Sequence, residues 1–292
     1  MKKYIAICSF LLVSSVSLGA CDSYSSNRST FNPDSASTDK LTGAIAQWEL
    51  PEELREVSGI ALLEQNLMAC VQDEEGAIYL YDLEQKKVTE KIAFAGPGDY
   101  EGIALNGNTA YILRSDGAIF EVENFRDSKP TVNKYTSGLA SSQNTEGLAF
   151  DSKNNRLLIA CKGYDQKLGD TKAIFAFSLG DKKMQESPVI SIPLAQANLQ
   201  AGTKKKKDKY AVLQPSSLEI HPVSGDLYML DAVNESIMLV SEQGEIKRVV
   251  ALDKKVFRQA EGLSFSSSGE MYIASEGGKK GRGVIVKYAK GI

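Results

Sequence analysis

Short apolar runs separated by turns rich in Asn, Asp, Gly and Ser recur along the chain from residue 57 to its end. Five of them open alike: Val57-Ser58-Gly59-Ile60-Ala61, Tyr100-Glu101-Gly102-Ile103-Ala104, Thr145-Glu146-Gly147-Leu148-Ala149, Pro215-Ser216-Ser217-Leu218-Glu219 and Ala260-Glu261-Gly262-Leu263-Ser264. Each is followed by a polar turn and a second apolar run: Leu67–Val71, Ala110–Leu113, Leu157–Cys161, Leu227–Leu230 and Met271–Ala274. Third runs follow at Ala77–Tyr81, Ala118–Val122, Ala173–Phe177, Ser236–Val240 and Val284–Tyr288, and fourth runs near Val88–Phe94, Val132–Tyr135, Val189–Ile192 and Ile246–Leu252. Short strands with turn signals at a period near 45 residues are the signature of β-propeller blades. No long amphipathic helix competes with this reading.

The repeats start at 58, 101, 146, 216 and 261, so one interval is too long. The excess falls near 193–214, where barely one strand can be found. A loop inserted between blades three and four therefore fits better than the alternative of a sixth, degenerate blade. The last unit has only three strands before the chain ends. Its missing fourth strand is expected in Gly43–Leu50, because a propeller must close its ring or leave edges unpaired. The fold class predicted is all-β: a five-bladed propeller over 43–292, closed by its N-terminal strand.

Upstream the pattern changes. Lys2 and Lys3 precede a predominantly apolar stretch, Ile5–Val16, and then Leu18-Gly19-Ala20-Cys21. A basic start, a short apolar stretch and small residues before a cut site describe a secretory signal. Leu-Gly-Ala-Cys also resembles a bacterial lipobox, which makes residues 1–20 a lipoprotein signal and Cys21 the lipidated residue. Residues 21–42, rich in Ser, Thr, Asn and Asp, read as a flexible tether. The expected location is the bacterial cell envelope, the membrane being reached through the lipid. The outer membrane is favoured over the inner, although Asp22 after Cys21 matches a proteobacterial inner-membrane retention pattern.

Composition narrows the chemistry. Formal net charge is −3 over 292 residues, so no general nucleic-acid footprint is present. The single histidine, His221, argues against histidine triads and multi-histidine metal sites. Cys70 and Cys161 lie in apolar runs and read as buried small hydrophobes, with a disulfide left open. Lys204–Lys207 with Lys209 read as a solvated loop, with contact to an acidic partner as the other possibility.

The repeat register converts sequence into geometry. Ser58, Glu101, Glu146, Ser216 and Glu261 share one position just before the innermost strand of each blade, forming a ring at one face of the central channel. The second strands return to that face and end near Asp73, Arg114, Lys162, Asp231 and Glu276, a predicted rim of the channel mouth. Three carboxylates facing a narrow channel resist full ionisation. A hard cation relieves their repulsion, and Ca²⁺ takes carboxylate, hydroxyl, carbonyl and water oxygens. Glu101, Glu146, Glu261, Ser58 and Ser216 are therefore candidate calcium ligands. The alternative is structural, each Glu accepting hydrogen bonds from amides of the neighbouring blade.

Glu56-Val57-Ser58-Gly59-Ile60, Gly98-Asp99-Tyr100-Glu101-Gly102-Ile103, Glu146-Gly147-Leu148-Ala149-Phe150, Pro215-Ser216-Ser217-Leu218 and Ala260-Glu261-Gly262-Leu263 together resemble the SdiA-regulated protein family, over roughly 50 to 290. That family is similar to NHL-repeat propellers, and the resemblance implies a five-bladed propeller that binds calcium. The lysine-rich insertion is this chain's departure from the family pattern. The expected function is a lipid-anchored, calcium-binding module that engages a protein or small-molecule partner at the envelope. The alternative is a calcium-dependent hydrolase of lactonase, phosphoesterase or phytase type, in which the cation polarises substrate and activates water. No catalytic residue is assigned.

Overall fold

The computed structural model describes residues 39–139, 143–200, 209–279 and 281–292. The predicted signal, Cys21 and most of the tether lie outside the described residues, as do Lys204–Lys207. Among the described residues no helix is long and apolar enough to cross a membrane.

Five antiparallel sheets follow one another along the chain. Blade one comprises Val57–Glu64, Leu67–Gln72, Ala77–Asp82 and Lys87–Ala93. Blade two comprises Tyr100–Asn106, Thr109–Arg114, Ala118–Glu123 and Thr131–Thr136. In blade three, Thr145–Asp151, Arg156–Cys161 and Thr171–Ser178 are followed by an outer edge split between Lys183–Met184 and Ile190–Pro193. Blade four is Ser217–Ile220, Leu227–Asp231, Ser236–Val240 and Ile246–Ala251. Blade five takes Ala260–Phe265, Met271–Ser275 and Val284–Tyr288 from the C-terminal end.

Its fourth strand is Ala44–Glu49, antiparallel to Val284–Tyr288, with Trp48 opposite Ile285 and Glu49 opposite Val284. The innermost strand of each blade packs on that of the next, and Ala260–Phe265 packs on Val57–Glu64. The ring is thus a five-bladed β-propeller closed by its N-terminal strand, as the repeat predicts, and the six-blade alternative falls. Pairing begins earlier than residue 43, because Asp39–Lys40 lies parallel to Val250–Ala251 on the outer edge of blade four. Among the described residues, the long interval between blades three and four holds one helical turn, Ala197–Gln200, and a 3₁₀ turn, Lys209–Val212.

The hydrophobic clusters occupy the seams. Ala61, Ile78 and Leu80 of blade one meet Tyr100, Ile103 and Phe120 of blade two, and each of the other four seams has its own cluster. Strands buried on both faces read as continuous apolar runs, whereas outer strands such as Thr131–Thr136 alternate between half-buried and exposed positions. That contrast makes the inner three strands of each repeat easy to see in the sequence. Cys70 is a buried free thiol in the seam between blades five and one, and Cys161 is another in a smaller cluster with Ala173 and Phe175.

The Gly of each Glu-Gly or Ser-Gly pair marks the place where adjacent blades touch. A Cβ on Gly102 would stand 2.8 Å from Leu148 Cβ and 3.2 Å from the Glu146 carbonyl, and one on Gly147 would stand 2.8 Å from Leu218 Cγ. Blade four, which has Ser217 at this position, is the exception.

Candidate functional site at the channel mouth

Four of the five ring residues owe their position to a backbone irregularity. The ladder between the first and second strands skips from Val57 to Gly59, Tyr100 to Gly102, Thr145 to Gly147 and Ala260 to Gly262. Ser58, Glu101, Glu146 and Glu261 are the extra, unpaired residues of four equivalent β-bulges, which re-aim a side chain at the end of a strand. Blade four has no such shift, and Ser216 sits one residue ahead of its strand.

The two serines are engaged in holding blades together. Ser58 Oγ donates to the Tyr100 carbonyl at 2.5 Å, and Ser216 Oγ donates to the Ala260 carbonyl at 2.7 Å while accepting from Ala232 N. Each therefore staples its blade to the next one. The three glutamates behave differently. Glu146 is 3% exposed, and its Oε1 accepts from Lys162 Nζ at 2.8 Å and from Asn144 Nδ2 at 2.7 Å. Its Oε2 is buried with no hydrogen-bond partner. Glu101 shares a hydrogen bond with the Asp99 carboxyl, and Glu261 shares one with the Glu276 carboxyl. Gln259 Nε2 donates to Glu276 at 2.7 Å.

Electrostatics tie these groups into one cluster. Burial first, then the charges of Glu146 and Asp99, push the Glu101 carboxyl above the usual range. Burial and the neighbouring Glu276 do the same to Glu261, which also feels Glu146 and Glu101. Burial raises Glu146 and Glu276 as well, opposed in both cases by the Lys162 ammonium. Burial works to neutralise Lys162, but Glu146 outweighs it and holds the amine in its charged form, with Glu261 and Glu101 adding to the effect. Asp73 stands at the edge of the cluster, raised to about 6 by burial and by the charges of Glu276 and Glu56, with Oδ1 buried and unpartnered.

Of the residues expected at the mouth, Glu101, Glu146, Glu261, Glu276 and Lys162 come together, with Asp73 alongside. Two others are not brought in. The Arg114 guanidinium turns onto Asp116 through Nε at 2.9 Å and Nη2 at 2.7 Å, with its carbon 5.6 Å from the Phe120 ring centroid. Asp231 is fully buried and accepts from Gln214 N, Asn234 N and Asn234 Nδ2, pinning the end of the inserted loop to blade four. Asp99 is the member that the repeat register passed over. Its signal was its place two residues before Glu101.

The donor chemistry suits a hard cation, being all oxygen and carrying several carboxyls against one ammonium, with a buried Glu146 oxygen unsatisfied. As the side chains stand, no three acidic, histidine or cysteine groups among the described residues converge closely enough to hold a metal ion. The Lys162 ammonium supplies counter-charge to Glu146 instead.

His221 lies away from this cluster, in the turn between the first two strands of blade four. Its Nδ1 accepts from Ser224 N at 3.1 Å, and its ring packs edge-on to Phe265. Its role is in packing.

Solved structures share the fold at low identity. A glutaminyl cyclase from Myxococcus xanthus aligns with a TM-score of 0.58 at 12% identity, over 86% of this chain and 97% of that one. The PQQ-bound aldose sugar dehydrogenase from Streptomyces coelicolor aligns with a TM-score of 0.51 at 12% identity, over 84% of this chain and 96% of that one. Both are similar in fold alone. No curated protein matches the sequence. The profile of the SdiA-regulated family matches residues 34–278, which takes in all five ring positions and the bulge-forming pairs. The chain belongs to the SdiA-regulated family.

Proposed function

We propose that this protein is a lipid-anchored β-propeller of the bacterial envelope that binds calcium at the acidic mouth of its channel and uses that face to engage a protein or small-molecule partner. The observation that carries the reading is the excess of carboxyls over cations at the mouth, together with the buried, unpartnered Oε2 of Glu146. Glu146, Glu101 and Glu261 are the residues that would hold the ion. Binding would require the Lys162 ammonium to leave Glu146, and Glu101 and Glu261 to turn to the ion as carboxylates. Lipidation at Cys21 rests on the Leu-Gly-Ala-Cys motif.

The test is calorimetric titration of calcium into the purified chain and into its Glu146→Ala variant. Saturable binding at or below millimolar calcium, lost in the variant, supports the proposal; no binding to the parent chain at millimolar calcium overturns it. Lactone, phosphate-ester and phytate hydrolysis are assayed in the same samples with and without chelator. Chelator-sensitive turnover lost in Glu146→Ala would replace the binding role by a catalytic one.

A further inference from the structure

The innermost strands run from the acidic mouth to a second opening at the far end of the channel. Three residues after each ring position four blades carry a small residue, Ala61, Ala104, Ala149 and Ser264, and of these Ala61, Ala104 and Ser264 line that opening. Blade four places Glu219. The opening is a pocket of about 200 Å³ lined by the apolar Leu62, Leu105, Phe150, Ile220 and Phe265 and by the hydroxyl-bearing Ser264 and Ser267, and among the described residues Glu219 is its one charged group. Among the described residues the Glu219 carboxylate accepts a single hydrogen bond, from the Ile220 amide at 2.9 Å, and no cation stands against it. Burial alone raises its carboxyl to about 8, with the Ile220 amide opposing.

A buried carboxyl without a counter-ion holds its proton, and gives it up once something supplies the opposite charge. The wall sets the shape of what can do so. At about 30 Å³ for each water-sized unit, the pocket holds roughly six or seven non-hydrogen atoms. Its aliphatic and aromatic side chains suit a short hydrocarbon body, while the Ser264 and Ser267 hydroxyls and Glu219 suit a polar head.

We propose that the far mouth of the channel is a binding site for a small organic ammonium ion, a primary amine with a short apolar body, for which Glu219 is the counter-ion. The site is separate from the acidic mouth and does not depend on calcium binding there.

The probe is n-hexylamine, with n-hexanol and hexanoate as matched neutral and anionic controls, titrated into the purified chain by calorimetry with and without calcium. The expected result is that the amine binds at least tenfold tighter than the alcohol, hexanoate does not bind, and calcium makes no difference. In Glu219→Gln the preference for amine over alcohol disappears, while the thermal melt shows the variant folded. In Leu105→Trp, which fills the pocket and keeps the carboxylate, both ligands are lost. Equal binding of amine and alcohol, an unchanged preference in Glu219→Gln, or binding retained in Leu105→Trp would overturn the proposal.

Discussion

Lys162 is the cation at the centre of the acidic cluster, so replacing it with Met isolates its contribution while keeping most of its volume. The Lys162 side chain is 24% exposed and that of Glu146 only 4%. Removing one partner of a buried pair costs about 3–5 kcal/mol, because the other charge is left without compensation. The full penalty should not be realised here. Glu101, Glu261 and Glu276 already lie above the ordinary carboxyl range. A cluster that takes up protons this readily answers the loss of the ammonium by binding one more. At neutral pH without calcium the expected loss is roughly 2 kcal/mol, which for a domain of this size lowers the melting temperature by about 4–8 °C.

Calcium makes the test specific. If the ion competes with Lys162 for Glu146, the variant binds calcium more tightly and gains more from it. Stabilisation by a ligand at a hundredfold over its dissociation constant is about 2.7 kcal/mol, so a tenfold tighter site adds about 1.4 kcal/mol at the same concentration. The assay is thermal denaturation of parent and Lys162→Met in chelator and across a calcium series. A variant that melts with the parent in chelator would refute the view of Lys162 as the cluster's counter-ion. An equal calcium increment in both proteins would refute competition at Glu146.

Two further perturbations probe the scaffold and the far mouth. Gly102→Ala drives a Cβ to 2.8 Å from Leu148 Cβ and 3.2 Å from the Glu146 carbonyl, so overpacking at the seam should cost about 1–3 kcal/mol in urea denaturation. Gly96→Ala, where a Cβ meets nothing within 4 Å, should stay within about 0.5 kcal/mol, and equal effects at the two sites would contradict the seam account. The Glu219 carboxyl is raised in the folded state, so its contribution is fully present below the ordinary carboxyl value of 4.5 and is lost as pH rises from there through about 8. Glu219→Gln should therefore gain stability over the parent as pH goes from 5 to 8, by roughly 2 kcal/mol once channel water is allowed for. A difference that stays flat over that range in urea midpoints would show that the carboxyl is not desolvated.

The parts of this molecule that were legible in the sequence are those in which one physical requirement repeats. Strands buried on two faces must be apolar throughout, so blade boundaries and the closing strand Ala44–Glu49 could be placed from the pattern and from the need to pair an edge. Ring positions followed from the register alone. The conformation that aims them did not, because a β-bulge leaves no residue type of its own; the trace it left was the Gly after Ser58, Glu101, Glu146 and Glu261, required by the blade behind it. Register also fixes where a Cα stands, not where a long side chain reaches. Arg114 had a carboxylate two residues away, and Asp116 captured it. Asp231 had two donors of Asn234 three residues on, together with the Gln214 amide. Lys162 had no acidic residue within two positions of it, only Asp165 at three, and its ammonium went to Glu146 on the neighbouring strand of its own blade. Local competition for hydrogen bonds thus separates the rim residues that join the site from those that do not. The same comparison of register positions that found the acidic mouth singles out Glu219, because its four counterparts are Ala or Ser and, among the described residues, its carboxyl has the Ile220 amide as a partner and no cation.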